Sequence, residues 1–247
     1  MSEWVEGEVV ENRRWKTDLF SLRFRAPIGD FAAGQFTRLA LDIDGERVAR
    51  PYSLVNPPHR APLEVYLNVV ADGPLSRRLN HLEPGDRLWV AARANGFFTV
   101  SELPASRDLW LLATGTALGV YLSILRTAEP WDRFRNIVLV HGVRHADERA
   151  YSAELDALQR AHEGRFRRFA AVSRECAEGC LHGRITSLIA DRSLERAAGL
   201  ELSPEHSHLM LCGNMDMIRD VSGLLEQRGL RRHRRAEPGH FTTEKYH

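Results

Sequence analysis

The chain reads as two domains of different class: an antiparallel β-barrel over residues 1–99, then a doubly wound parallel-sheet α/β domain over residues 100–247. Three observations predict this. Up to about residue 100, short runs of alternating apolar and polar residues are punctuated by Gly, Pro and Asp, the pattern of short antiparallel strands. Beyond it, apolar runs alternate with helical patterns, which means a parallel sheet. Thr114, Arg144, Arg174 and Asn214 each come just after an expected strand. In a parallel sheet those carboxyl ends share one edge, where nucleotides bind.

In the first part, Phe20, Leu22 and Phe24 alternate with Ser21, Arg23 and Arg25. Residues 35–41 form a second strand, and Asp44-Gly45 is a hairpin signal leading back towards Val48. Arg50-Pro51-Tyr52-Ser53 therefore closes a strand. It supplies a fixed cation, a rigid turn residue, an aromatic face and a hydroxyl, a set suited to a flat, phosphate-bearing ligand. A strand end with an ordinary surface Arg and a half-buried Tyr fits the same four residues. Leu63, Val65, Leu67 and Val69 face a core, which puts Tyr66 and Asn68 on the other face. Asp72-Gly73-Pro74 breaks that strand, and Leu75, Leu79 and Leu82 fit one face of a short helix. Ser76 then lies in its first turn, where free N–H groups favour anions, although helix starts often carry Ser for no other reason. Residues 86–92 read as the closing strand of a small barrel.

In the second part, residues 109–113 lead into Thr114-Gly115-Thr116-Ala117-Leu118-Gly119 and a helical pattern through Leu125. Residues 136–140 end at His141-Gly142-Val143-Arg144, ahead of a helix over 151–161. Residues 169–172 lead into Ser173-Arg174-Glu175, and Gly183-Arg184 opens a helix. Residues 209–211 end at Cys212-Gly213-Asn214, ahead of a last helix. The loop at Gly115 suits a pyrophosphate at a helix N-terminus. Arg144 and Arg174, on adjacent strand ends, make a pocket for a 2′-phosphate, which favours NADP(H) over NAD(H). A bound phosphate would also relieve the unfavourable placement of Arg184 at a helix start. Cys212 fits either a buried strand-end thiol or a contact to a nicotinamide ring.

The whole chain narrows the class of function. Its 247 residues suffice for two ordinary domains, and 43% hydrophobic with 27% charged residues is a balanced composition. A net charge of +1 with His neutral offers no global field for nucleic acid or an anionic membrane. Met1-Ser2-Glu3-Trp4 opens no signal peptide, and no apolar run is long enough for a bilayer span. The odd cysteine count (Cys176, Cys180 and Cys212) argues for a reducing compartment, hence the cytoplasm, and completes no metal or cluster set. Arg231-Arg232-His233-Arg234-Arg235 reads as a solvated turn or as a docking aid for an acidic partner. The tail, aromatic up to Tyr246, is expected to pack.

Arg50-Pro51-Tyr52-Ser53, Asp72-Gly73-Pro74-Leu75-Ser76, Gly115-Thr116-Ala117-Leu118-Gly119 and Cys212-Gly213-Asn214, in this order and spacing, resemble the ferredoxin–NADP(+) reductase family over essentially the whole chain. The tail resembles the bacterial flavodoxin/ferredoxin–NADP reductase branch. The resemblance implies an FAD-binding barrel followed by an NADP-binding domain. By that analogy Arg50 binds the FAD pyrophosphate, Pro51 shapes the turn, Tyr52 stacks on the isoalloxazine and Ser53 hydrogen-bonds near flavin N5. Tyr66, Leu67 and Asn68 would line the ribityl and phosphate side, and Pro74, Leu75 and Ser76 would hold the pyrophosphate. Thr116 would sit where flavin and nicotinamide meet, with Cys212 beside it as a second catalytic candidate after Ser53. Val143, Arg144, Ser173, Arg174, Arg184 and Asn214 would bind NADP(H), and Tyr246 and His247 would cover FAD. Met215 departs from the Pro that many relatives carry after Cys-Gly-Asn.

The implied activity is electron transfer between NADP(H) and ferredoxin or flavodoxin through FAD, by a monomer. Two alternatives share the fold: the reductase component of an oxygenase system, and a non-catalytic nucleotide-binding regulator.

Overall fold

The computed structural model describes residues 3–245. The chain divides into two compact units, Met1–Val100 with Gly119–Thr127, and Ser101–Leu118 with Ala128–His247.

The first unit holds β1 (Trp4–Lys16), β2 (Leu19–Arg25), β3 (Phe36–Ile43), β4 (Glu46–Ser53), β5 (Leu63–Asn68), α1 (Pro74–Leu79) and β6 (Arg87–Ala91). Its antiparallel sheet has the order β4-β3-β6-β1-β2-β5. The outer strands meet where Leu54 bridges Val65 and Val55 N–H donates to Glu64 O at 2.8 Å, which closes the sheet into a barrel. Inward side chains fill it as the alternation requires: Phe20, Leu22, Phe24, Leu39, Val65 and Val90 are fully buried. Asp44 and Gly45, both at positive φ, form the tight turn between β3 and β4. The 13-residue β1 was not anticipated. Charged residues such as Glu6, Glu8, Glu11, Arg13 and Arg14 interrupt its apolar pattern. A strand bonded on both sides tolerates them because its backbone pairing with β2 and β6 does not depend on side-chain polarity. β6 is likewise an interior strand, between β3 and β1.

The second unit holds β7 (Asp108–Thr114), α3 (Glu129–Arg133), β8 (Asn136–Val143), α4 (Ser152–Ala161), β9 (Phe166–Val172), β10 (Leu181–His182), α5 (Ile185–Ala190), α6 (Ser193–Ala198), β11 (Ser207–Gly213), α7 (Met215–Gln227) and β12 (Phe241–Lys245). α2 (Leu118–Leu125), between β7 and α3 in the chain, belongs mostly to the first unit. There Ser123 Oγ donates to Asn56 O at 2.9 Å and Arg126 Nη1 to Val55 O at 2.8 Å. Gly119 permits this packing, since a Cβ there would stand 3.0 Å from Val55 Cγ2.

Every strand pair of the second sheet is parallel, in the order β10-β9-β8-β7-β11-β12. Its amino edge is pinned by Asp108, whose buried carboxylate accepts from Asn136 Nδ2 at 2.7 Å and from Arg107 Nη2 at 2.8 Å. The chain runs outward from β7 to β10 and then returns to the other side of β7 as β11. The strand order therefore reverses between β7 and β11, the switch point at which open α/β sheets bind ligands. The tail packs as expected, but as a strand: β12 pairs with β11, and Phe241 is fully buried.

At the switch point the strand ends nearly touch. Thr114 Oγ1 accepts from Asn214 N–H at 2.8 Å. A Cβ on Gly213, which has φ +131°, would lie 2.1 Å from that same oxygen. Gly213→Ala should cost about 1–3 kcal/mol through strain and clash. Urea unfolding checks this, and an unchanged midpoint would mean that the approach of the two strand ends does not constrain residue 213.

Candidate functional site

In the first unit, three segments named by the sequence come together. β4 delivers Arg50 through Ser53, β5 delivers Tyr66 through Asn68, and α1 lies against β3 and β4 with Pro74, Leu75 and Ser76 in its first turn. Strand alternation puts Arg50 and Tyr52 on one face and Pro51 and Ser53 on the other. Arg50 is exposed, its Nη1 donating only to the neighbouring Ala49 O at 2.8 Å. Among the described residues it has no carboxylate partner, so its charge is available to an anion. Tyr52 is half-buried against the barrel core. Burial pushes its hydroxyl pKa up to about 12 against the opposing charge of Arg50, so it presents a neutral ring. Ser53 is buried at the strand end, as are Tyr66 and Leu67, while Asn68 is exposed.

Ser76 is buried, and its hydroxyl is already engaged: it accepts from Val70 N–H at 3.0 Å and lies 3.3 Å from Gly73 O. The side chain thus braces the β5–α1 turn, and the anion donors that the sequence located there are the backbone N–H groups of the helix start. The cation, the ring and the free N–H groups together fit a flavin dinucleotide.

A cavity of about 490 Å³ opens elsewhere in this unit, bordered by Arg25, Arg60, Arg87, Glu6, Glu8 and Asp30. On its border Arg87 lies 3.3 Å from Glu6 and 3.2 Å from Glu8. None of the sequence-predicted site residues borders it.

In the second unit, the carboxyl edge collects the other predicted residues. After β7, Gly115 at φ +56° begins a single 3₁₀ turn that buries Thr116. This loop is buttressed by His141, whose Nε2 lies 2.9 Å from Gly115 O. Burial lowers the His141 pKa to about 4, so the ring is neutral and donates to that carbonyl. Val143 is buried at the end of β8, and its carbonyl accepts from Ser173 N–H at 3.1 Å and Ser173 Oγ at 3.2 Å. Arg144 O accepts from Arg174 N–H at 3.0 Å, so the two arginines leave adjacent strand ends side by side.

These cations differ in availability. Arg144 is paired with Glu148, whose carboxylate also accepts from Arg144 N–H at 2.9 Å. Arg174 and Arg184 are exposed and, among the described residues, have no carboxylate partner. Uncompensated guanidinium groups at a strand-end edge fit a phosphate-bearing dinucleotide. Asn214 is the N-cap of α7: its Oδ1 accepts from Asp216 N–H at 2.9 Å and Met217 N–H at 3.3 Å.

Cys212 is fully buried. Burial pushes its thiol pKa well up, and the negative charge of Glu244 adds to the effect, so it stays protonated. Glu244 is the residue that sequence reasoning missed. Parallel pairing of β11 with β12 sets it beside Cys212 in register. Its Oε2 is buried without a hydrogen-bond partner among the described residues, and burial raises its pKa to about 7. The tail offered no signal for it, because only the strand pairing carries a surface-looking carboxylate to the switch point. Tyr246 and His247, expected over FAD, lie outside the described residues.

The folded-state pKa of Glu244 lies above its ordinary 4.5. Its contribution to stability is therefore greatest below pH 4.5 and is lost as pH rises through about 7. Glu244→Gln should flatten stability across that window, with the variant gaining on the wild type as pH rises. Urea unfolding on both sides of the window measures this, and a constant difference between the two proteins would show that the carboxyl is not buried in the folded state.

Comparison with known proteins agrees with this two-part organisation. Residues 7–96 match the family model described as an oxidoreductase FAD-binding domain, and residues 111–223 match that described as an oxidoreductase NAD-binding domain. The chain is 50% identical over 247 residues to a flavodoxin/ferredoxin–NADP reductase of Shigella flexneri, covering 100% of both chains. It is 49% identical to that of Escherichia coli (strain K12), again over 100% of both. Among solved structures it superposes on a ferredoxin NADP+ reductase from Neisseria gonorrhoeae crystallised with FAD and NADP, with a TM-score of 0.94, 30% identity and 99% of each chain covered. No helix among the described residues is long and apolar enough to cross a membrane.

Proposed function

We infer, because this chain belongs to the flavodoxin/ferredoxin–NADP reductase family, that it exchanges electrons between NADP(H) and a ferredoxin or flavodoxin in the cytoplasm. The observation that carries the reading is the pair of uncompensated cations, Arg174 and Arg184, on the second sheet's carboxyl edge, in a chain whose barrel presents a free Arg50 beside a neutral Tyr52. FAD, when bound, supplies the conversion between a hydride equivalent and single electrons.

The protein's own residues bind and orient. Arg50 and the N–H groups at the start of α1 hold the flavin pyrophosphate, and Tyr66, Leu67 and Asn68 line its ribityl side. Tyr52 lays a neutral ring along the flavin, and its raised pKa keeps it un-ionised through the physiological range. Ser53 would offer its hydroxyl near flavin N5 as a hydrogen-bond partner rather than as a strong acid or base. On the second sheet, Arg174 and Arg184 would hold the 2′-phosphate of NADP(H), and Arg144, paired with Glu148, would stand beside them. Ser173 and Val143 shape that subsite, and Thr116 with the loop after β7 holds the nicotinamide half. Cys212, its thiol pKa raised by burial, would stay neutral at the end of β11. Glu244, its pKa raised by burial to about 7, would hold a proton beside Cys212.

Bound flavin should be bleached readily by NADPH and poorly by NADH; equal rates would overturn the 2′-phosphate assignment. Arg174→Ala or Arg184→Ala should raise KM for NADPH roughly tenfold, the loss of one charge-assisted contact, and barely change KM for NADH. Ser53→Ala should keep its flavin but accept hydride roughly tenfold more slowly. Loss of FAD with unchanged hydride transfer in the remaining holoprotein would contradict the separation of stacking from chemistry. Steady-state assays with purified ferredoxin and flavodoxin decide which partner is used.

A further inference from the structure

Between Arg174 and Arg184 lies a stretch that the electron-transfer reading does not use. Cys176 and Cys180 flank Ala177-Glu178-Gly179 in a turn that exposes Cys176, Glu178 and Gly179 and leaves Cys180 half-buried. Cys180 N–H donates to Ala177 O at 3.2 Å, and Gly179 takes the positive φ that this turn requires. The returning chain is tied down on either side of the turn. His182 Nδ1 lies 3.0 Å from Glu175 O, and Gly183 N–H donates to Val172 O at 2.8 Å. The ends of such a turn stand within about 7 Å, the Cα separation that a disulfide spans. Cys176 is one residue outside the turn, four positions before Cys180.

The surroundings of Cys180 differ from those of an inert thiol. Arg149 Nη1 lies 3.2 Å from its Sγ. The guanidinium is held in place by its Nε, which donates to Ala146 O at 3.0 Å, and among the described residues it has no carboxylate partner. A fixed cationic donor beside the sulfur is placed to stabilise the negative charge that builds on the leaving oxygen as the sulfur attacks a peroxide. Cys212, by contrast, is fully buried.

We propose that Cys180 and Cys176 form a reversible redox-modification site that reports peroxide to the NADP(H) pocket. The Cys180 sulfur attacks hydrogen peroxide, giving a sulfenic acid and one water. The Cys176 thiol then displaces the sulfenic hydroxyl, forming the disulfide and a second water. The two thiols lose two electrons and peroxide gains them. A low-molecular-weight thiol restores the dithiol by exchange. Closing the bond draws Cys180 away from Arg149 and pulls on a segment that is hydrogen-bonded to the Arg144 loop. The links are Arg174 N–H to Arg144 O at 3.0 Å, and Ala146 N–H to Glu175 Oε1 at 2.6 Å. Arg174 and Arg184, which flank this segment, then shift, and NADP(H) binds more weakly. This consequence rests on the reading of those arginines as phosphate ligands; the chemistry of the pair does not.

The test treats the holoenzyme with graded hydrogen peroxide and digests it with trypsin without reductant. Cleavage after Arg174 and Arg184 releases the peptide 175–184, which carries both cysteines. Its mass should fall by two hydrogens and recover with dithiothreitol, while Cys212 remains alkylatable only after unfolding. In Cys176→Ser, a diketone reagent should trap the sulfenic acid on Cys180. With an artificial one-electron acceptor, the oxidised wild type should show KM for NADPH raised roughly three- to tenfold at little-changed kcat, reversed by dithiothreitol and absent in Cys180→Ser. A peptide left as the dithiol at peroxide levels that oxidise exposed methionine overturns the site, and a disulfide with unchanged KM overturns the regulation. A disulfide together with Arg174→Ala and Arg184→Ala variants of normal KM upholds the redox chemistry and places the fault in the phosphate assignment.

Discussion

The second unit depends on the approach of two strand ends. β7 and β11 are neighbours in space but remote in sequence, and at their carboxyl ends Asn214 N–H reaches Thr114 Oγ1 at 2.8 Å. Only a residue without Cβ can stand at Gly213, because the hydroxyl that accepts the hydrogen bond occupies the place a side chain would take. The bond joins the two loops that flank the strand-order reversal. It fixes Gly115 and Thr116 on one side, and on the other Asn214, which in turn caps α7. His141 supports the same loop from β8 and remains neutral, so it adds no charge beneath a dinucleotide site.

Around that crossing the charges are unevenly committed. Glu148 holds Arg144 and its backbone, and Glu175 holds the neighbouring Ala146 N–H. These carboxylates order the loops after β8 and β9 while leaving Arg174 and Arg184 uncompensated. In the barrel the division is similar. Ser76 spends its hydroxyl on bracing the turn before α1, whereas Arg50 keeps its charge free. In both units some polar groups hold the loops in shape, and others remain available to phosphate. A cysteine pair within one of these loops, Cys176 exposed and Cys180 half-buried, places redox-sensitive chemistry on the structure that positions the phosphate ligands, without touching the buried thiol at the switch point.

Much of this was legible in the sequence. Period-two alternation marked β2 and β5, Asp-Gly marked the β3–β4 turn, and strand–helix alternation marked the parallel sheet, because each signal is local and written in two to eight consecutive residues. The long β1 was not legible, since charged residues on a doubly bonded strand break the apolar pattern without weakening its backbone ladder. The two-residue β10 and the helices α3 and α6 are too short to show a period.

By itself, the sequence determined which residue types stand at which strand ends: Arg50 and Tyr52 after one apolar run, Arg174 and Arg184 around another, Cys212 closing a third. Tertiary structure decided what those residues are free to do. It made Asn214 a helix cap, turned Ser76 inward, tied Arg144 to Glu148 and set Glu244 beside Cys212 through a strand pairing thirty-two residues apart in the register. The physical reason is that composition and periodicity report burial along one segment. Hydrogen-bond partners, unpaired charge and shifted pKa values depend on which distant segment arrives alongside.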